Sequence, residues 1–213
     1  MTDQKQLKTG TTTLGIVCKE GIVMAADMKM TAGYFIAGKD FDKIVPINDR
    51  IALTVAGYVS EAQMMVKVIR AQINLEELKR GRELKIVEVA NLIRNLIYGN
   101  SRRYSPFIAA FLMAGRDRNG YHLYDLSPDA SVTEHKDYAT SGSGSMFALS
   151  IIEAEHKPSI SLAEAKKLAS KAIGAAIKRD AASGGGINII TITKDGVNKV
   201  LSESLDDILP SNK

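Results

Sequence analysis

Cysteine occurs once, at Cys18, in a chain of 213 residues. That excludes an internal disulfide and a cysteine-rich metal site. Cys18 shares strand parity with Leu14 and Ile16, so it reads as a small core hydrophobe rather than a reactive thiol. Histidine is nearly as scarce: His122, His135 and His156 are far apart, and none has the neighbour spacing of a metal site such as H-E-x-x-H. No G-x-S-x-G elbow and no Walker or Rossmann glycine pattern is present. No apolar run is long enough to span a bilayer, and the first ten residues lack the apolar stretch of a secretory signal. The expected setting is cytoplasmic. Lysine and arginine exceed aspartate and glutamate by 28 to 24, but they are scattered, with no interleaved aromatics on which bases would stack. The nearest to a cluster, Lys79-Arg80-Gly81-Arg82 with Arg102-Arg103 beyond, reads as a solvated helix end. Neither nucleic acid nor a membrane is expected as a partner.

What is present is an ordinary globular composition at single-domain length, enough to bury a sizeable core. Thr12–Lys19 and Ile22–Asp27 read as strands joined at Glu20-Gly21. The second is apolar on both faces (Ile22, Met24 and Ala26 against Val23 and Ala25), which requires cover on both sides. Lys43–Ile47 and Ile51–Ala56 form a second hairpin ending at Gly57. A helix follows behind the capping pattern Ser60-Glu61-Ala62-Gln63 and stops at Gly81; its Met64 and Met65 suit either a subunit interface or core packing. A second helix keeps its period from Ile86 to Tyr98. Strands return at Phe107–Gly115 and Tyr121–Leu126, with a weaker one at Val132–Tyr138. Helices at Ser145–His156 and Leu162–Asp180 come next, the latter behind the capping box Ser161-Leu162-Ala163-Glu164. Strands Ile187–Thr193 and Val197–Leu201 close the chain. Strand runs separated by helix pairs predict an α+β fold: a four-layer αββα sandwich of two antiparallel sheets flanked by helix pairs.

A polar leader ends at Gly10, and the first strand begins immediately with Thr11-Thr12-Thr13. If Gly10–Thr11 is cut, Thr11 carries a hydroxyl beside a free α-amine. The ordinary pKa of that amine, about 7.7–8.0, suits it as the base for its own hydroxyl. Alone, the segment reads better as a frayed terminus running into an edge strand. Ser141-Gly142-Ser143-Gly144-Ser145 opens a helix and offers backbone N–H groups to an anion, or is simply a strand-to-helix turn.

Six fragments recur together in one order: Thr11-Thr12-Thr13-Leu14-Gly15-Ile16-Val17, Ala26-Asp27, Lys43, Ala56-Gly57, Gly142-Ser143-Gly144-Ser145 and Arg179-Asp180-Ala181-Ala182-Ser183-Gly184-Gly185. From Thr11 to about Leu201 the chain resembles an archaeal-type catalytic proteasome β subunit, one of the N-terminal nucleophile hydrolases. The resemblance implies threonine endopeptidase activity on unfolded polypeptides, with no cofactor and no metal. Thr11 Oγ would attack the scissile carbonyl, its own α-amine moving the proton through a water. Lys43 would stand beside it as an ammonium disfavouring protonation of that amine, held by Asp27. Gly57 would offer its N–H to the oxyanion, an interaction worth about 2.7–4 kcal/mol. Ser143, Asp180 and Ser183 would surround the amine. Without the resemblance, Lys43 is a strand-end surface lysine, Asp27 a turn aspartate, Gly57 a turn glycine, and Asp180 with Ser183 a helix end running into glycine.

The resemblance further implies that residues 1–10 are a propeptide, cut at Gly10–Thr11 by the same chemistry, leaving 11–213 as one catalytic domain. Thr31, with the Gly57 loop, would pair with a peptide as an added strand. Met30, Val55 and Phe41 would line the pocket for the residue before the cut; none is charged, so apolar residues are expected there. Two departures stand out: Lys29 where the family commonly has arginine, and a large Phe41. Implied partners are α subunits and other β subunits in stacked seven-membered rings, with an ATPase ring feeding substrate. Three alternatives stay open: the hexameric bacterial two-component relative, a catalytically silent structural β subunit of the same ring, and a basic binding module betrayed by salt-sensitive nucleic-acid binding.

Overall fold

The computed structural model describes residues 10–101 and 109–204. The chain runs β1 (Thr12–Cys18), β2 (Gly21–Asp27), β3 (Met30–Ala32), β4 (Phe35–Gly38), β5 (Ile44–Pro46), β6 (Ile51–Thr54) and β7 (Ala56–Gly57). Helices α1 (Val59–Arg80) and α2 (Ile86–Ser101) follow. Next come β8 (Ala109–Asp117), β9 (Gly120–Leu126), β10 (Val132–His135), β11 (Tyr138–Gly142), α3 (Ser145–Glu155), α4 (Leu162–Arg179), β12 (Gly186–Thr193) and β13 (Gly196–Ser204). One sheet has the order β11-β1-β2-β12-β13, the other β10-β9-β8-β6-β5 with β7 beside β8. All neighbours are antiparallel.

The alternation of β2 sets the layers. Ile22, Met24 and Ala26 pack between the sheets with Leu112, Ala114 and Leu123. Val23 and Ala25 face the other way, joining Leu14, Ile16 and Cys18 against α3 and α4. A third cluster places β6 and β8 against α1 and α2 through Leu53, Phe111, Ile69 and Ile93. The layers are therefore helices, sheet, sheet, helices, as the α+β reading expects. Met65 enters this core while Met64 remains exposed.

Three local features differ from the sequence reading. Helix α1 begins at Val59, with an extended Tyr58 at its N-cap and no side-chain cap, one residue after β7 ends at Gly57. Ser60 therefore lies inside the first turn, whereas Ser161 forms a full capping box at α4. The single strand expected over Val132–Tyr138 is two strands in different sheets: β10 pairs with β9, and β11 crosses to pair with β1. The hairpin β3–β4 lies apart as a two-stranded sheet, with exposed Tyr34, Phe35 and Ile36. Phe107, Ile108 and Arg102-Arg103 lie outside the described residues, as do residues 1–9 of the expected leader. The basic run ending α1 is ion-paired: Lys79 and Arg80 to Glu76, Arg80 and Arg82 to Glu88. Among the described residues, no helix is long and apolar enough to cross a membrane.

Candidate active site

Thr11 immediately precedes β1, a strand hydrogen-bonded on both edges. It is 5% exposed, so the frayed-end reading of this segment does not hold. Gly144 N–H donates to Thr11 O at 3.4 Å, and the Thr11 N–H to Ser143 Oγ at 3.2 Å. The close approach needs glycine: Gly142 has φ 95°, and a Cβ there would lie 2.0 Å from Thr11 O. The Gly142–Ser145 turn is thus occupied by Thr11 itself. The Thr11 hydroxyl donates to Gly10 O at 2.6 Å.

Lys43 and Asp27, 16 residues apart, meet beneath Thr11. Lys43 Nζ donates to Asp27 Oδ1 at 2.7 Å and to Gly10 O at 3.2 Å. Asp27 is fully buried and takes three further donors: Thr12 N–H on Oδ1 at 2.9 Å, and on Oδ2 Gly184 N–H at 2.9 Å and Lys29 N–H at 3.2 Å. Every lone-pair direction that matters is filled, which is what a buried carboxylate requires. Lys43 is 3% exposed. Burial lowers its pKa from the ordinary lysine value, with Asp27 opposing, so its neutral form is more accessible than in a surface lysine.

A second polar chain runs along the other side. Ser143 and Ser183 each place Oγ 2.6 Å from Asp180 Oδ2. Ser183 Oγ also lies 2.7 Å from Thr12 Oγ1. Each hydroxyl has one proton to give. With Ser143 and Ser183 committed to the carboxylate, Thr12 donates to Ser183 and Ser143 accepts from Thr11. Burial raises the Asp180 pKa, but the two hydroxyls, the Ala182 N–H and the Lys43 charge outweigh it, and the net direction is down.

The remaining candidates line one small cavity of about 30 Å³ opening on Thr11 and Lys43. Met30, Thr31, Phe41, Val55 and Gly57 all reach it, so every expected site residue falls in the cavity or in the two polar chains. Gly57 has φ 140°, a conformation that side-chain-bearing residues rarely adopt. Thr31 Oγ1 accepts Gly10 N–H at 3.1 Å. The Lys29 departure is accommodated by one hydrogen bond, Nζ to Ala181 O at 2.7 Å. Sequence reasoning missed Thr12 as a member of the Asp180 chain, Gly184 as a donor to Asp27 and Val59 as a cavity wall. The Ser183-Gly184-Gly185 run carried a signal for Gly184; nothing marked Val59.

The four-layer αββα sandwich is the fold of the N-terminal nucleophile hydrolases, and within it the Thr11 hydroxyl and Lys43 Nζ converge on one carbonyl, Gly10 O. The family model described as proteasome subunit matches residues 7–192. The chain is 40% identical over 206 residues to the proteasome subunit beta of Archaeoglobus fulgidus, covering 97% of this chain and 96% of that protein. It is 40% identical over 194 residues to that of Haloferax volcanii (91% and 78%) and 39% over 200 residues to that of Ferroglobus placidus (94% of each). The chain belongs to the proteasome family, as a β subunit of the archaeal type.

Proposed function

We propose that the chain is a catalytic β subunit of a 20S proteasome core, a threonine endopeptidase acting on unfolded polypeptides in the cytoplasm. One observation carries this reading: the Thr11 hydroxyl and the Lys43 ammonium converge on Gly10 O at 2.6 and 3.2 Å. Residues 1–10 are a propeptide and 11–213 the working domain. In self-cleavage Thr11 Oγ bonds to the Gly10 carbonyl carbon, and the Gly10–Thr11 C–N bond breaks. The nitrogen takes the proton the hydroxyl loses, leaving an ester. Water then hydrolyses the ester, releasing the leader's carboxylate and restoring the hydroxyl.

Hydrolysis of substrate reuses these parts. The Ser143 hydroxyl donates its hydrogen bond to the Asp180 carboxylate, so its oxygen accepts from the new α-amine and leaves that amine's lone pair free for the Thr11 hydroxyl proton. Gly57 N–H meets the oxyanion, Thr31 pairs with the substrate backbone, and Met30, Val55 and Phe41 receive an apolar residue before the cut. The assembly is stacked seven-membered rings with α subunits and other β subunits, fed by an ATPase ring. The test is the intact mass of the chain after co-assembly with its α partner, beside a Thr11→Ala control. Loss of residues 1–10 in the unsubstituted chain alone supports the reading. An uncut chain in assembled rings makes it a silent structural subunit.

A further inference from the structure

Asn188 interrupts the apolar inward face of β12. Positions 188, 190 and 192 share that face by strand parity, and Ile190 and Ile192 pack between the two sheets. Asn188 is 1% exposed and stands opposite Ala26 of β2, itself in the inter-sheet layer. Its Nδ2 donates to Asp42 Oδ1 at 2.8 Å, while its Oδ1 takes no donor among the described residues. Turning the amide over would set oxygen against the Asp42 carboxylate, so charge fixes its orientation. A buried acceptor without a donor is unfavourable, and an isoleucine in line with Ile190 would avoid it. What asparagine supplies, and isoleucine cannot, is the bond to Asp42.

Asp42 immediately precedes Lys43 in the irregular segment between β4 and β5. No sheet ladder holds these residues, so single bonds set their position. Phe41 N–H donates to Met28 O, and Lys43 O accepts the Val55 N–H, each at 2.9 Å. Between those points the Asp42 carboxylate is tied to β12 by Asn188 and to β13 by Lys199 Nζ at 3.2 Å. The two ties differ in weight. The Asp42 and Lys199 side chains are 56% and 49% exposed, where an ion pair contributes little. The Asn188 amide comes from the buried layer and donates to a charged acceptor, which makes the stronger bond. Lys43 depends on where its backbone lies: Nζ must reach both Asp27 Oδ1 and Gly10 O, and a four-carbon stem can point elsewhere.

We propose that Asn188 is a positioning residue for the reaction at Thr11: through Asp42 it fixes the backbone from which Lys43 Nζ reaches the Gly10 carbonyl. This rests on the peptidase reading above and adds to it a residue that touches neither Thr11 nor Lys43. The first cut and later turnover both use Lys43, so both run through the Asn188–Asp42 bond. Phe41 shares the segment, but Gly10, the residue before the leader's cut, has no side chain to meet it. Leader removal therefore reports on Lys43 rather than on Phe41.

The test is the rate of leader removal in the full chain co-assembled with its α partner. Intact mass is followed within assembled particles, so slow assembly is not scored as slow cutting. Asn188→Leu removes the amide but keeps the branching. It is expected to cut on the order of tenfold more slowly while melting no lower than the parent, because the unpaired acceptor goes with the amide. A merely structural role would lower rate and melting point together. Asp42→Ala is expected to show the same loss of rate, and the double variant no more than either single one. Asp42→Asn keeps an acceptor for the Asn188 amide and is expected to restore most of the parental rate. Should Asn188→Leu fail to assemble, the contrast between Asp42→Ala and Asp42→Asn decides. Parental rates in Asn188→Leu and Asp42→Ala overturn the proposal, as do losses that add in the double variant or an Asp42→Asn as slow as Asp42→Ala. If the unsubstituted chain keeps its leader in assembled rings, the peptidase reading itself has failed, and the positioning role falls with it.

Discussion

The hydroxyl of Thr54 lies 3.3 Å from that of Thr13, joining the two sheets by a hydrogen bond through the inter-sheet layer. Thr54 ends β6 where its pairing to β8 lapses, and its Oγ1 accepts the Leu112 N–H at 3.1 Å in place of a backbone carbonyl. Thr13 lies two residues beyond Thr11, and Thr54 three before Gly57, so the bridge ties the strand that follows Thr11 to the segment that leads into β7. Both threonines are fully buried. Thr54→Val is expected to cost about 1–3 kcal/mol, because it leaves the Leu112 N–H without an acceptor. It is also expected to slow leader removal, while Thr54→Ser restores both. Denaturant midpoints in a Thr11→Ala background, and processing rates in the parent, measure the two effects separately.

Removing the Lys43 ammonium strands Asp27 as a buried carboxylate with backbone donors alone. Lys43→Met is therefore expected to lose about 3–5 kcal/mol and to keep its leader. Adding Asp27→Asn removes the unpaired charge and is expected to recover much of the stability without recovering processing. Mass spectrometry and thermal melting of the single and double variants separate chemistry from folding; a processed double variant would remove Lys43 from the mechanism.

Gly10→Ala places a methyl group 1.8 Å from Ala182 Cβ and 2.6 Å from Ala182 O. The Gly10 carbonyl must then shift away from Thr11 and Lys43. Leader removal is expected to slow by on the order of a hundredfold, the usual consequence of misplacing reacting atoms by about 1 Å. Ala182→Gly in the same chain relieves the side-chain contact but not the carbonyl contact, so partial recovery is expected in a processing time course.

Asp180 has its folded pKa below the ordinary carboxylate value through the Ser143 and Ser183 hydroxyls, despite burial. Its contribution to stability is present above the unfolded value of about 3.9 and is lost as pH falls through the folded value. Asp180→Asn is therefore expected to be less stable than the parent at neutral pH, with the difference narrowing through the carboxylate range. Denaturation curves at a series of pH values test this; a difference independent of pH would show that the charge is not what Ser143 and Ser183 hold.

Much of the architecture was legible because burial follows periodicity. The two apolar faces of β2 announced cover on both sides, and Ile22 and Val23 lie in different layers accordingly. Ser161 and Ser60 carry the same capping pattern, but only Ser161 caps, since α1 already begins at Val59, straight after β7, and Ser60 falls inside its first turn. Alternation from Val132 to Tyr138 is nearly continuous, so the passage from one sheet to the other is set by which partner strand each half meets. Thr11, Asp27 and Lys43 were legible through resemblance, because no local spacing links a strand end to a lysine 16 residues later. The hydroxyl pair Thr13 and Thr54, 41 residues apart, left no local trace at all.

The bond from Gly10 N–H to Thr31 Oγ1 spans the strip where, in the proposed reaction, an incoming peptide backbone would lie. Under that reaction the berth would be taken for as long as residues 1–10 stay attached, and the uncut chain would be its own competitive inhibitor. Cutting would do two things in one event: create the amine and vacate the berth. A newly made subunit would then carry a safety catch that only its own first turnover releases, so destructive activity would appear no earlier than the machinery able to produce it.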